Sequence, residues 1–189
     1  EFETAGHKVT NSVGFSINFN GPQSGSAWNL NIPFANESEP WNCATILNAI
    51  YHFRVQAGTH RIKLPGVLVT VKVRPVFEEG TSNAFGVSRH IPIVVTKILY
   101  QNDVKIFTRF DNGGRLETDD IYAVTMHELG HVSHFLKSPT NAGLSIGITG
   151  ESWATVVEYY FTLPYYPNMV NRLIDQERAD IICCGDHSW

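Results

Sequence analysis

The pattern of apolar residues first indicates strands. From Val13 to Phe19 every second residue is apolar, and Gly21-Pro22 follows as a turn signal, so a half-exposed strand is predicted between residues 9 and 19. β-Branched residues, which favour strands, are concentrated in three later stretches, at 64–77, 91–100 and 104–110. Pro92 has no backbone N–H to donate, and we therefore expect either that the 91–100 strand lies at a sheet edge or that Pro92 is confined to its first residues.

A helical period of apolar residues follows Ser38-Glu39-Pro40, where Pro40 suits the first turn of a helix. This helix is expected to end near residue 57, because Gly58 follows. Its predicted buried side chains are Ala44, Leu47, Ile50, Tyr51 and Val55. Further helices are predicted over residues 119–137, 151–161 and 168–183.

This order of elements predicts an α+β fold. We expect a mixed β-sheet to form one wall of a cleft and the 119–137 helix to form its floor, with the 151–161 helix crossing it. Residues 1–37 are expected to be an N-terminal β extension or part of the same domain. Residues 38–189 are expected to form one domain of enzyme size.

Composition narrows the class of protein. With 43% hydrophobic and 12% aromatic residues, the chain can bury a substantial core. A net charge of −4 without a Lys/Arg stripe argues against nucleic-acid binding, and the sequence has no 18-residue apolar run that predicts a membrane span.

Three cysteines, Cys43, Cys183 and Cys184, form neither a disulfide framework nor a zinc-binding CxxC pair. One bridge from Cys43 and buried free thiols both stay open as interpretations. The cysteines do not identify a compartment. A secreted or cell-envelope location is slightly favoured over a cytoplasmic one.

The candidate chemistry lies in the predicted 119–137 helix. His127-Glu128-Leu129-Gly130-His131 places two imidazoles one helical turn apart on one face, where they can converge on a metal ion. His-Glu-x-x-His on a helix is the pattern of zinc peptidases. Gly130 costs the helix about 1 kcal/mol against alanine, so we expect another element to pack closely there. The alternative is an ordinary helix with surface or core histidines.

Catalytic zinc commonly has three protein ligands and a water. His134 lies about 10 Å along the helix axis from His127, too far to share the ion, and it is expected at the rim or as a hydrogen-bond partner. Glu151 is the better third ligand, since the residues between allow a second helix to cross the first. Glu158 shares its helical face and could support a ligand or bind the metal itself. The alternatives are a helix-terminal acid for Glu151 and a solvated carboxylate for Glu158.

HELGH followed after nineteen residues by E-S-W-A, beginning at Glu151, resembles the gluzincin group of zinc metallopeptidases. The resemblance covers residues 118–161, under a quarter of the chain. It implies a zincin-like fold in which a second helix supplies the third metal ligand. It also implies one Zn²⁺ ion bound by His127, His131 and Glu151, with Glu128 as the general base.

Zinc-assisted hydrolysis of peptide bonds in a peptide or protein substrate is the activity that this resemblance implies. Glu128 would take the proton of the attacking water and pass it to the leaving amine. Residues 83–90 are a candidate edge on which an extended substrate could lie. The alternatives are a non-catalytic zincin-fold binding module and a zinc hydrolase of a non-peptide amide or ester.

The chain departs from the thermolysin-like branch of the group at one position. That branch has an aspartate four residues after the ligand glutamate, which supports a histidine ligand, whereas this chain has Thr155. A donor to the oxyanion of the tetrahedral intermediate is also expected. Its candidates are Tyr159, Tyr160, Tyr165, Tyr166 and His187.

Overall fold

The computed structural model describes residues 3–4, 6–17, 32, 38–65, 70–79, 83–84, 103–109, 114–137 and 147–169. In chain order these contain β1 (Glu3–Thr4), β2 (His7–Val9), α1 (Glu39–His60), β3 (Val71–Glu79), β4 (Asn83–Ala84), β5 (Asp103–Arg109), α2 (Thr118–Lys137) and α3 (Gly147–Thr162). The predicted mixture of a sheet with helices is confirmed.

The described strands form one sheet in the order β1-β2-β3-β5-β4. β2, β3 and β5 run parallel, with His7 beside Val71 and Val73 beside Val104. β1 and β4 join the two sides of this parallel centre in the antiparallel direction. α1 lies in the connection from β2 to β3, because neighbouring parallel strands need a long crossover.

The prediction of one strand between residues 9 and 19 is wrong. β2 ends at Val9, and the Asn11 side chain then accepts a hydrogen bond from the backbone N–H of Phe15 at 2.7 Å. This turn reverses the chain and leaves Val13 and Phe15 each 71% exposed. Asparagine stabilises turns through such side-chain to backbone bonds. The alternation of apolar and polar residues does not distinguish this turn from a strand.

Two of the later strand predictions are confirmed with shifted bounds. β3 covers Val71–Glu79 where 64–77 was predicted, and β5 covers Asp103–Arg109 where 104–110 was predicted. The predicted strand at 91–100 lies outside the described residues. So does the predicted helix at 168–183, apart from its first two residues.

Two helices extend beyond their predicted bounds. α1 continues past Gly58 to His60, and Arg61 closes it in the left-handed region with a φ of 57°. α3 begins at Gly147, so Glu151 lies in its second turn and does not open the helix. No described helix combines the length and apolar character needed to cross a bilayer.

The buried face of α1 was predicted with the wrong phase. Ile50 is fully buried as predicted, but Tyr51 and Val55 are 58% and 50% exposed, whereas Phe53 is 1% exposed. The buried face packs on the sheet and on α2. Its apolar residues are Cys43, Ile46, Ala49, Ile50, Phe53 and Ala57.

Cys43 is a buried free thiol at the interface between α1 and the sheet. Its Sγ lies 3.5 Å from the backbone oxygen of Thr10. Burial, assisted by the negative charge of Glu39, raises the pKa of this thiol to about 12. Cys183 and Cys184, the other candidates for a bridge, lie outside the described residues.

α2 and α3 pack closely at Gly130. A Cβ atom placed on Gly130 would lie only 2.9 Å from Cα of Ala154 and 3.3 Å from Cβ of Val157. The expectation of another element close to Gly130 is therefore confirmed. Because His131 follows Gly130 and Glu151 lies one turn before Ala154, this contact brings the candidate ligands of the two helices together.

Candidate metal centre

α2 positions the two histidines and has a defined start. Its first residue is Thr118, and Oδ2 of Asp120 accepts the backbone N–H of Glu117 at 2.9 Å, as in a capping box. The carboxylates of Asp119 and Asp120 also lie at the positive end of the helix dipole. Tyr122, Met126, Leu129 and Val132 are buried in the core, while the candidate ligand residues face α3.

Three side-chain atoms from α2 and α3 converge on one point. Nε2 of His127 lies 3.2 Å from Nε2 of His131 and 3.2 Å from Oε2 of Glu151. Nε2 of His131 lies 3.4 Å from the same glutamate oxygen. Ligands about 2.0–2.1 Å from a tetrahedral zinc ion are separated by about 3.3–3.4 Å. The observed triangle therefore has the dimensions of one face of a zinc tetrahedron.

Glu158 contacts the other nitrogen of the His127 ring. Its Oε2 lies 2.9 Å from Nδ1 of His127, and the glutamate is 8% exposed. An N–H at Nδ1 that donates to Glu158 leaves the Nε2 lone pair of His127 free to bind a metal. The sequence left support and ligation open for Glu158, and this geometry favours support. With Glu158 at Nδ1, support of His127 does not require Thr155.

The centre favours a positive charge. Burial opposes the charged form of His127, but hydrogen bonds with Glu151 and Glu158 outweigh it and raise the pKa of His127 to about 10. Hydrogen bonds with His127 and His131 hold the pKa of Glu151 well below its usual range. Lone pairs that converge on one point repel one another, and a proton or a metal cation between them removes this repulsion.

Glu128 is buried beside the ligand triangle. It is 4% exposed, and among the described residues none donates a hydrogen bond to its Oε2. Burial raises the pKa of Glu128 to about 7, although His127 and His131 act in the opposite direction. An unpartnered buried carboxylate oxygen is costly, and protonation of Glu128 lowers that cost.

His134 is half-buried, and its ring lies near the second ligand without joining the triangle. Nδ1 of His134 and Nδ1 of His131 would lie 3.8 Å and 3.9 Å from a Cβ atom placed on Gly150. Gly150 thus leaves room for both rings. In the part of the chain that the structure describes, His127, His131 and Glu151 are the residues whose ligand atoms cluster closely enough for a metal ion.

Two of the predicted oxyanion donors lie in another cluster. The ring of Tyr165 stacks on His52 at 3.7 Å, and the ring of Tyr166 lies 4.8 Å from that of Tyr122. Tyr122 precedes His127 by five residues, which places it on the opposite side of α2. Tyr160 is 63% exposed, Tyr159 is half-buried, and His187 lies outside the described residues.

The sequence analysis missed the polar contact inside this cluster. Nδ1 of His52 lies 2.8 Å from the hydroxyl of the buried Tyr122, which is 70 positions later in the chain. Burial and the neighbouring Tyr165 and Tyr166 raise the pKa of Tyr122 above its usual range. No sequence spacing marks such a long-range pair, so only the packing of α1 on α2 reveals it.

Neither a protein-family model nor a curated protein nor a solved structure matches this chain. The resemblance to gluzincins therefore stays an expectation from the sequence motif.

Proposed function

We propose that this protein is a zinc-dependent metallopeptidase with a zincin-like fold. The observation that carries the proposal is the triangle of Nε2, Nε2 and Oε2 atoms from His127, His131 and Glu151, with sides of 3.2–3.4 Å. Three ligands leave the fourth tetrahedral position for water or substrate, as is typical of catalytic zinc and not of closed structural sites.

Each residue of the centre has a distinct part in the proposed reaction. A Zn²⁺ ion bound here supplies Lewis acidity toward the attacking water and the scissile carbonyl. Glu128 accepts the water proton on Oε2 and transfers it to the leaving amine. Its pKa of about 7 suits a base that works near neutral pH, and a nearby cation lowers that pKa. Glu158 accepts a hydrogen bond from the N–H at Nδ1 of His127, which leaves the lone pair of the ring on Nε2.

A peptide substrate is favoured by the edge of the sheet. β4 is the last strand in the described sheet order, and it packs against α2. An extended peptide could add its backbone at a sheet edge, and beside β4 it would lie along a strand that contacts the helix carrying the two histidines. Residues 83–84 of the predicted 83–90 rim form β4, and residues 85–90 lie outside the described part of the chain.

Substitution of the two glutamates of the motif tests the proposal. We expect the wild-type protein to bind one zinc ion and to cleave unstructured peptides until a chelator is added. Glu128→Gln should retain zinc but lose about 10²–10⁴-fold in kcat, since the proton acceptor is gone. Glu151→Gln should bind zinc more weakly, because it lacks the third ligand, which is the anionic one. Zinc content and peptide cleavage of the same preparations measure both effects.

Glu117→Gln is the matched control, since Glu117 is an exposed carboxylate ten residues before the first ligand. It should change neither zinc content nor cleavage. Zinc binding without peptide cleavage would support the binding module, and turnover of small amides or esters alone would support the non-peptide hydrolase. A wild-type protein that binds no zinc would refute the proposal.

A further inference from the structure

The position of Glu151 is not fixed by its own packing. Its side chain is 54% exposed, in contrast to 21% and 24% for the side chains of His127 and His131. Metal ligands must be held within about 0.5 Å of their productive positions. The reach of Glu151 therefore depends on where the backbone of α3 lies on α2.

Trp153, two residues after Glu151, ties that backbone to α2. Its indole Nε1–H donates to the backbone oxygen of Gly130 at 3.1 Å and to Oγ of Ser133 at 3.0 Å. The Ser133 hydroxyl donates in turn to the Gly130 oxygen at 2.8 Å. We call these three residues the indole clasp. Gly130 also precedes the ligand His131, so the clasp joins the two turns that carry ligands.

A second contact beside the clasp limits how closely the helices can approach. Because glycine has no side chain, Ala154 packs directly against the backbone of α2 at Gly130. The clasp thus holds α3 in toward α2, while the contact with Ala154 stops it. Together they define the depth of α3 on α2.

We propose that Trp153 is a positioning residue of the metal centre: the indole clasp fixes the depth of α3 on α2 and so holds Glu151 within coordination distance of His127 and His131. This inference rests on the proposed metal site, but it does not need the protein to be a peptidase. Trp153 itself does not touch the ligand atoms and acts through the backbone of α3.

Trp153→Phe tests the clasp, because it removes the N–H donor and keeps most of the aromatic packing. We expect the zinc dissociation constant, measured by chelator competition well below the unfolding temperature, to rise about 10–100-fold, as for other groups that orient ligands. Ser133→Ala should have a smaller effect, since the Gly130 oxygen still accepts. Ile46→Val, a core change in α1 remote from the clasp, should lower stability without altering zinc affinity.

A double-mutant cycle separates positioning from general destabilisation. In the Glu151→Gln background, Trp153→Phe should add little further loss of zinc affinity, because the ligand that the clasp positions is already gone. Equal losses in both backgrounds would overturn the inference, as would an unchanged zinc affinity of Trp153→Phe. Loss of peptide cleavage with unchanged zinc affinity would also overturn it, and zinc binding without cleavage would refute only the peptidase.

Crystal structures of the metal-free wild type and Trp153→Phe test the same inference without zinc. The separation of Oε2 of Glu151 from Nε2 of His131, 3.4 Å here, should lengthen in the variant. Gly130→Ala provides a second route, since its Cβ must push Ala154 away and should lengthen the same distance. An unchanged separation in both variants would overturn the inference.

Discussion

At the scale of single residues, two chemically identical carboxylates on α3 contact opposite nitrogens of one imidazole. Oε2 of Glu151 lies 3.2 Å from Nε2 of His127, and Oε2 of Glu158 lies 2.9 Å from Nδ1. Their burial also differs, with side-chain exposures of 54% for Glu151 and 11% for Glu158. An exposed carboxylate can bind an ion from solvent, whereas a buried one fixes the orientation and tautomer of the ring.

Glu158→Gln should weaken zinc binding about 10–100-fold, because the ring of His127 loses its anionic support. Thr155→Ala is the matched control on the same helix, and it should leave zinc affinity unchanged. Chelator competition on both variants measures the difference. A larger loss in the Thr155 variant than in the Glu158 variant would return the support role to the position used in thermolysin-like enzymes.

His7, in β2, makes the stability of the fold sensitive to mild acid. It is 1% exposed, and among the described residues neither of its ring nitrogens has a hydrogen-bond partner. Burial, together with the positive charge of Arg54, lowers the pKa of His7 to about 4. Above pH 6.5 the ring is neutral in the folded and the unfolded chain, so the shift has no effect there.

Between pH 6.5 and pH 4 the unfolded chain binds a proton at this histidine that the folded chain excludes. The free energy of unfolding should therefore fall with decreasing pH across this window, by roughly 3 kcal/mol from His7 alone. His7→Leu should remove that part of the decrease, and the exposed His60→Gln should not. Urea titrations at pH 7 and pH 4.5 compare the variants, and a parallel decrease in wild type and His7→Leu would contradict the assignment.

The sequence was sufficient to predict that His127, His131 and Glu151 come together, but not how the ring nitrogens are used. The i, i+4 spacing of the histidines follows from helix geometry, so their convergence was predictable. Glu158 stayed ambiguous because seven residues after Glu151 it lies on the same helical face. Which carboxylate meets Nδ1 depends on how deeply α3 sits on α2, and that is a property of packing.

At the scale of elements, α1 shows where pattern alone fails. The helical period of apolar residues predicted that Tyr51 and Val55 lie in the core. α1 packs on both the sheet and α2, so its buried stripe is set by two neighbours. Small residues such as Ala49 and Ala57, both fully buried, permit those close contacts and gave no hydrophobic signal strong enough to fix the phase.

Alanine substitutions on α1 test this corrected phase. Phe53→Ala should lower the free energy of unfolding by about 3–5 kcal/mol, since it opens a cavity under the ring of Phe161. Tyr51→Ala should cost less than about 1 kcal/mol, because that side chain is 58% exposed. Chemical denaturation of the two variants measures both values. Similar losses in the two variants would restore the phase predicted from sequence.

At the scale of the whole molecule, element order predicted the α+β class but not the sheet order. The order β1-β2-β3-β5-β4 places the fifth strand between the third and the fourth. Such an insertion depends on long-range backbone pairing, which leaves no local mark in the sequence. The hydrophobic pattern shows that β5 is a strand but cannot name its partners, and the same holds for the placement of β4 against α2.

Zinc should stabilise the whole fold if it binds the folded chain and not the unfolded chain. At a free concentration one hundred times its dissociation constant, it adds about 2.7 kcal/mol to the free energy of unfolding. For a chain of this size that corresponds to a rise in Tm of about 5–10 °C. Calorimetry with zinc and with a chelator should show this rise in the wild type and in Glu128→Gln, but not in Glu151→Gln. No rise in any of the three proteins would contradict zinc binding.

Every group of the centre comes from one short stretch of chain. The contacts of His127 with His131, Glu151 and Glu158 span 4, 24 and 31 residues, and the sheet contributes none of them. Closing so short a loop costs little entropy. The ligand contacts between α2 and α3 therefore depend on no strand pairing, and a cation bound there would link the two helices directly.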